Sequence, residues 1–157
     1  MYIFYEPHKE FLKKLIVNDI DFILIGGYAV NFHGYNRATG DMDIWLRPDN
    51  NNKTKFVNLL KGEGFTEDTI DQVNDLNFEL PTSFYFGEAP LRVDFLTIIS
   101  GVKFNDAWKD KVFLPLGEFQ IPVLHLNHLV LSKISNDRLK DKQDVEELQR
   151  IQNLSKK

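Results

Sequence analysis

The chain has 157 residues, of which 43% are hydrophobic, and 23 acidic against 19 basic side chains give a formal net charge of −4. Length and apolar content are typical of one globular domain over residues 1–157, and the acidic balance argues against a protein built to grip a phosphate backbone. The sequence has no cysteine, which excludes disulfides and thiolate chemistry. It shows neither an apolar run long enough to cross a bilayer nor a start like a signal peptide, so we expect a cytoplasmic protein without a membrane partner.

The first half of the chain predicts alternating helices and strands. Apolar residues at helical spacing mark the helices, and short apolar or alternating runs mark the strands. In chain order we predict helix His8–Asn18, strand Asp21–Ile25, helix Tyr28–His33 directly after Gly26-Gly27, strand Asp41–Leu46, and helix Lys53–Lys61 with a cap near Asp49 to Asn52 and a stop at Gly62 and Gly64.

The second half predicts two strand pairs followed by helices. Strands Phe84–Phe86 and Leu91–Thr97 join through a turn at Gly87 to Pro90, and Val112–Leu116 pairs with Phe119–Val123 around Gly117. Helices Leu126–Ser135 and Lys140–Asn153 form a helical C-terminal element over about residues 125–153. Together these elements predict an α/β (α+β) fold, a mixed β-sheet flanked by helices with a short C-terminal helical segment.

Three aspartates in two predicted strands form a candidate metal site. Asp41 and Asp43 are two residues apart, which puts both carboxylates on one strand face with α-carbons roughly 6 to 7 Å apart. Asp94 lies in the later strand and joins them if the two strands are neighbours. Carboxylates about 6 Å apart repel by about 3 kcal/mol at an effective dielectric near 20, so such a cluster favours a bound cation. Oxygen ligands suit Mg²⁺ or Mn²⁺.

Gly26 and Gly27 lie between a predicted strand and a predicted helix, shortly before the D-x-D pair. Glycines at such a junction let backbone N–H groups approach a phosphate closely. Alone, the pair favours an ordinary strand-ending turn. Followed by Asp41, Asp43 and a distal strand aspartate, it indicates a site for a metal-bound triphosphate.

These motifs resemble the DNA polymerase beta-like nucleotidyltransferase superfamily. The resemblance rests on IGG at Ile25 to Gly27, TGDMDIWL at Thr39 to Leu46 and VDFL at Val93 to Leu96. The first two segments look like those of small-molecule adenylyltransferases and of abortive-infection (AbiEii/AbiGii-type) toxin nucleotidyltransferases. KISNDRLKDKQDVEEL, from Lys133 to Leu148, is similar to the K-x(4)-R-x-K-D-x-x-D helical element of that second branch.

The resemblance implies a nucleotidyltransferase-like fold and metal-dependent transfer of a nucleoside monophosphate from an NTP to an acceptor. The acceptor is left open among RNA (tRNA included), protein and a small molecule. A toxin role with an antitoxin partner is one biological function that the resemblance implies. The implied roles are metal ligation and catalysis by Asp41, Asp43 and Asp94, triphosphate contact by Gly26 and Gly27, entrance shaping by Arg37 and Thr39, and phosphate contact by Lys133.

Other interpretations of the same residues stay open. The D-x-D pair also occurs in metal-dependent glycosyltransferases, although a preceding Gly-Gly turn is not typical of those enzymes. The chain is also compatible with a non-catalytic nucleotide-binding or interaction module. His125 and His128 favour a helix start or packing over a metal site. The basic and acidic residues of the C-terminal element also fit a solvated face with internal ion pairs; they are Lys133, Arg138, Lys140, Asp141 and Asp144.

Overall fold

The computed structural model describes residues 4–36, 38–135 and 138–155. Within these ranges the chain forms seven helices and six strands. In chain order they are α1 (Glu6–Val17), β1 (Phe22–Ile25), α2 (Gly26–Phe32), β2 (Met42–Leu46), α3 (Asn50–Gly62), α4 (Glu67–Asn74), β3 (Ser83–Phe86), β4 (Val93–Leu96), α5 (Phe104–Asp110), β5 (Val112–Leu116), β6 (Phe119–Val123), α6 (Leu126–Ile134) and α7 (Leu139–Ser155).

The strands of the described ranges form one six-stranded sheet in the order β3-β4-β2-β1-β6-β5. β1 pairs with β2 antiparallel and with β6 parallel, whereas β2 pairs with β4 parallel. The outer pairs β3–β4 and β5–β6 are antiparallel. The sheet is therefore mixed and flanked by helices, as the sequence predicts.

An aromatic core covers one face of the sheet beneath α3. Phe56 of α3 packs against Phe95 of β4 at a ring-centroid distance of 5.1 Å, and Phe84 of β3 stacks on Phe95 at 5.0 Å. Phe56 and Phe95 are fully buried, as is Ile44 on β2. Because side chains alternate along a strand, Asp43 and Asp94 lie on the opposite face. The core thus fixes the sheet whose other face carries the predicted site.

Two short helices, α4 and α5, are not predicted from the sequence. α4 is mostly polar and buries only Val73 fully, so its pattern gives little periodic signal. Its start is nevertheless marked by Thr66, whose side chain accepts a hydrogen bond from the Thr69 N–H at 3.3 Å. α5 buries Phe104 and Ala107 within seven residues, which is too short for a clear helical repeat.

The bounds of several predicted elements also shift. Helix α2 begins at Gly26, so the two glycines form its first turn and do not end the preceding strand. Strand β2 begins at Met42, which leaves Asp41 just before it. Among the described residues, no helix combines the length and the apolar character that a bilayer crossing requires.

Candidate nucleotide and metal site

The two predicted aspartate strands are direct neighbours in the sheet. β2 and β4 run parallel, and the register pairs Asp43 with Asp94. Their side chains share the sheet face opposite the aromatic core, and both are partly exposed. Asp41 lies one residue before β2 and lines the same cavity as Asp43. The topology therefore places Asp94 beside Asp43 on one sheet face, and Asp41 lines the cavity that Asp43 also lines.

The Gly-Gly turn packs directly against the D-x-D strand. Gly26 has φ +67°, and a Cβ placed on it would lie 2.1 Å from Asp43 Oδ2 and 2.8 Å from its Cγ. A Cβ on Gly27 would lie 2.2 Å from Thr39 Oγ1. Both distances are far below any ordinary contact, and the φ of Gly26 is one that side chains disfavour. A Cβ at either position would therefore displace a side chain at or beside the D-x-D pair, and at Gly26 it would also strain the backbone.

Thr39 ties the segment before D-x-D to the turn. Its Oγ1 donates a hydrogen bond to the backbone carbonyl of Asp41 at 3.1 Å while its side chain packs over Gly27. Thr39 therefore positions the backbone of Asp41 beside the turn. Arg37, for which the sequence predicts a role at the site entrance, lies outside the described residues.

A cavity of about 500 Å³ opens between the sheet and the C-terminal helices. The predicted residues Gly26, Gly27, Asp41, Asp43 and Lys133 all line it. Its other lining residues come from the end of β1, from the end of β4 and the segment after it, from α6, and from the start of α7 and the residue before it; they are Ile25, Leu96, Ile98, Ile99, Ser100, Leu129, Ser132, Arg138 and Asp141. The cavity has the size of a small-molecule or nucleotide site.

The C-terminal residues around Lys133 do not form a solvated face. Lys133 is buried, and so are Asp141 and Asp144, which are 0% and 1% exposed. The Lys133 Nζ lies 3.2 Å from Asp141 Oδ1 and 2.9 Å from Asp144 Oδ2, and the Arg138 Nε donates to Asp141 Oδ2 at 2.7 Å. The solvated-face interpretation is therefore wrong for these buried residues, because α6 and α7 pack together and enclose the ion pairs.

This network also sets the protonation of Asp141. Burial by itself would raise the pKa of Asp141, but the hydrogen bonds and charges of Arg138 and Lys133 outweigh it and lower the pKa below its usual value. The same hydrogen bond to Asp141 raises the pKa of Arg138. A charged cluster thus forms one wall of the cavity, with a lysine held close to the D-x-D region.

Asp94 faces a different depression from the cavity. The Arg92 guanidinium donates to it from Nη2 at 2.9 Å and from Nε at 3.2 Å, and Arg92 stacks over the Tyr85 ring at 3.8 Å. Asp94 lines this second depression with Asp43, which borders both spaces. Arg92 precedes β4 by one residue, and its i, i+2 spacing from Asp94 is the sequence signal that could have predicted this ion pair.

The acidic side chains of the site are suited to a Mg²⁺ ion that substrate phosphates and water also bind. Among the described residues, no three acidic or histidine side chains already form a metal cage. Mg²⁺, however, commonly takes only one or two protein carboxylates and completes its octahedron with water and substrate phosphates. Asp41 and Asp43, lining one cavity beside a glycine turn, fit that requirement, and Asp94 fits it only on release from Arg92.

His125 is accounted for by local structure. It is the N-cap residue of α6, and its Nδ1 accepts a hydrogen bond from the Asn127 N–H at 3.0 Å. This agrees with the predicted helix-start role.

Comparison with solved structures identifies the fold of this chain. No protein-family model matches the sequence, and no curated protein matches it. Among solved structures, the chain is similar to the crystal structure of the lincosamide antibiotic adenylyltransferase LnuA with lincomycin bound. The TM-score is 0.62 and the identity 16%, with 96% of this chain and 99% of that chain covered. The chain therefore has a nucleotidyltransferase fold over nearly its whole length.

Proposed function

We propose that this protein is a nucleotidyltransferase that transfers a nucleoside monophosphate from an NTP to an acceptor hydroxyl. The observation that carries the proposal is the contact of the Gly26 backbone with Asp43, inside a cavity that Asp41 also lines. A close backbone turn beside paired carboxylates is suited to a triphosphate held through a divalent cation. The fold shared with an adenylyltransferase supports the same reaction class.

In the proposed reaction, the acceptor oxygen forms a bond to the α-phosphorus of the NTP. The bond from that phosphorus to the oxygen bridging the β-phosphate breaks, and pyrophosphate leaves with its electron pair. The hydroxyl proton passes to a carboxylate of this chain, for which Asp94 is the candidate. Asp41 and Asp43 would hold Mg²⁺ or Mn²⁺, which when bound neutralises charge on the phosphates.

The remaining residues of the site position the substrate. Gly26 and Gly27 line the cavity at the turn, where backbone N–H groups would approach the phosphate oxygens, and Thr39 fixes the backbone of Asp41. Lys133 supplies positive charge to the cavity wall, but Asp141 and Asp144 hold its ammonium group. We therefore assign Lys133 an electrostatic role at the phosphates through this network. Catalysis of this kind depends mainly on positioning and electrostatics.

The test is transfer of label from each α-³²P NTP in the presence of Mg²⁺ to candidate acceptors, namely total tRNA, the protein itself and hydroxyl-bearing small molecules including lincomycin. Asp43→Asn should abolish transfer, because it removes a proposed metal ligand. Asp71→Asn, at an exposed position on α4, serves as the matched control and should transfer normally. Equal transfer by both variants would refute the assignment.

The same protein samples separate the alternatives. A thermal-shift comparison of UDP-glucose with ATP, each with Mn²⁺, distinguishes a glycosyltransferase from a nucleotidyltransferase. Tight NTP binding without modification of any acceptor would favour a nucleotide-binding module. Growth arrest on expression that Asp43→Asn relieves would support a toxin role, which in turn implies an antitoxin partner.

A further inference from the structure

A second cleft of about 540 Å³ begins where the nucleotide cavity ends. Ile98 and Ile99, which follow β4, line both spaces. Trp45 also lines the cleft, lies two residues after Asp43 on β2, and pairs in register with Leu96 of β4. Residues i and i+2 of a strand share a face about 6 to 7 Å apart, so the cleft continues along the face that carries Asp43.

The chemistry of the cleft is mostly apolar. Large hydrophobic side chains form most of it, including Leu80, which is 60% exposed, Ile98, which is 55% exposed, and Phe104. Among the described lining residues, Glu79 and Lys103 are the charged ones, and they have opposite signs. A polyanion such as RNA needs surplus positive charge along its track, which these residues do not supply.

One buried polar group of a cleft-lining residue lacks a partner among the described residues. Trp45 is 1% exposed, and its Nε1 has no hydrogen-bond acceptor among the described residues. Buried donors are almost always paired, and an unpaired one is an exception that calls for a specific explanation. A ligand oxygen that accepts from the indole N–H would provide it. Apolar walls with a few polar groups of this kind are characteristic of small-molecule sites.

We infer that this cleft binds the acceptor, and that the acceptor is a small uncharged molecule with an apolar body and hydroxyl or ether oxygens. The inference rests on the proposed nucleotidyl transfer, which places the NTP in the first cavity. Ile98 and Ile99 line both spaces, so an acceptor in the cleft would lie next to that NTP. Trp45 acts as a specificity-determining hydrogen-bond donor, and Leu80 and Ile98 cover the apolar body.

The binding test uses octyl β-D-glucoside below its micelle concentration as the amphipathic probe. Methyl β-D-glucoside, which carries the same hydroxyls without the apolar chain, is the matched control, and an oligoribonucleotide ending in CCA represents RNA. Binding is followed by the two tryptophan indole N–H resonances in ¹⁵N-labelled protein. Trp45→Phe assigns the Trp45 resonance by its loss. Trp108, which stacks on Phe104 but is not among the residues that line the cleft, is the internal reference.

Octyl glucoside should shift the Trp45 resonance saturably, whereas methyl glucoside and the RNA should not. Leu80→Arg should weaken octyl glucoside binding at least tenfold, whereas Leu154→Arg, at a similarly exposed leucine on α7, should leave it within twofold. No saturable shift of Trp45, equal effects of the two arginine variants, or competition by the RNA would overturn the inference.

A parallel titration with ATP and Mg²⁺ keeps the two proposals separable. ATP binding without octyl glucoside binding overturns the cleft inference and leaves the proposed reaction standing. Octyl glucoside binding without ATP binding refutes the proposed reaction, and the acceptor assignment falls with it. Binding of both, with ATP binding unaffected by Leu80→Arg, supports the assignment of separate donor and acceptor spaces.

Discussion

Replacing Gly26 by alanine tests the contact between the glycine turn and Asp43. The new Cβ would lie 2.1 Å from Asp43 Oδ2, whereas ordinary contact begins at 3.4 Å, so the carboxylate or the turn must move by more than an ångström. The φ of +67° adds a cost of roughly 1–2 kcal/mol for any residue with a Cβ. Forcing extra volume into a packed site costs about 1–3 kcal/mol more.

Gly117→Ala is the matched control. Gly117 has φ +63°, and a Cβ on it would meet nothing within 4 Å, so this variant should lose only the roughly 1–2 kcal/mol of backbone strain. Urea denaturation should therefore find Gly26→Ala less stable than Gly117→Ala by about 1–3 kcal/mol. Nucleotidyl transfer should fall by about 100-fold in Gly26→Ala, because an ångström of misplacement has that effect on a positioned reaction.

The two variants together can refute the reasoning. Equal stability of Gly26→Ala and Gly117→Ala would mean that the turn does not contact Asp43. Normal transfer by Gly26→Ala would mean that the position of Asp43 does not matter to the reaction. Either result removes the observation on which the proposed function depends.

Three further substitutions follow from the structure. Gly27→Ala should lower stability and nucleotide binding, because the alanine Cβ would lie 2.2 Å from Thr39 Oγ1. Adding Thr39→Gly should restore part of both, and additive losses in a double-mutant cycle would contradict this contact. Lys133→Met should lower the free energy of unfolding by about 3–5 kcal/mol, because it leaves buried carboxylates without their lysine. Adding Asp144→Leu should recover part of that loss in urea titrations, and a further loss would count against the buried ion pair. Burial lowers the pKa of His33, so at mildly acidic pH the unfolded chain binds a proton that the folded chain does not. The stability present above pH 6.5 is therefore lost as the pH falls below 6.5, by at most about 1.4 kcal/mol per pH unit. His33→Gln should flatten the profile of unfolding free energy between pH 7 and 5, and an unchanged profile would refute this prediction.

Local patterns predicted the parts of the fold that depend on neighbouring residues. Alternation along β2 predicts that Asp43 and Ile44 lie on opposite faces, and in the structure Ile44 is buried in the core while Asp43 is partly exposed. Helix α3 was predicted with its cap, and Asp49 accepts a hydrogen bond from the Asn52 N–H at 2.7 Å. These features follow from side-chain periodicity and turn chemistry alone.

The strand order, the burial of the α7 aspartates and the second cleft depend on long-range packing, which local sequence patterns do not specify. The pairing of Asp43 with Asp94 depends on β4 inserting beside β2, and no local pattern specifies that order. The charged residues of α7 have the composition of an exposed helix, yet Asp141 and Asp144 are buried because α6 places Lys133 against them. The second cleft could not be predicted either, since it forms between Trp45 and segments far along the chain.

The most direct measurement of the central claim is a crystal structure with Mn²⁺ and a non-hydrolysable NTP analogue. Anomalous scattering should place Mn²⁺ within about 2.2 Å of carboxylate oxygens of Asp41 and Asp43, with the triphosphate against Gly26 and Gly27. An ion bound elsewhere, or a nucleotide seated in the apolar cleft, would contradict the account.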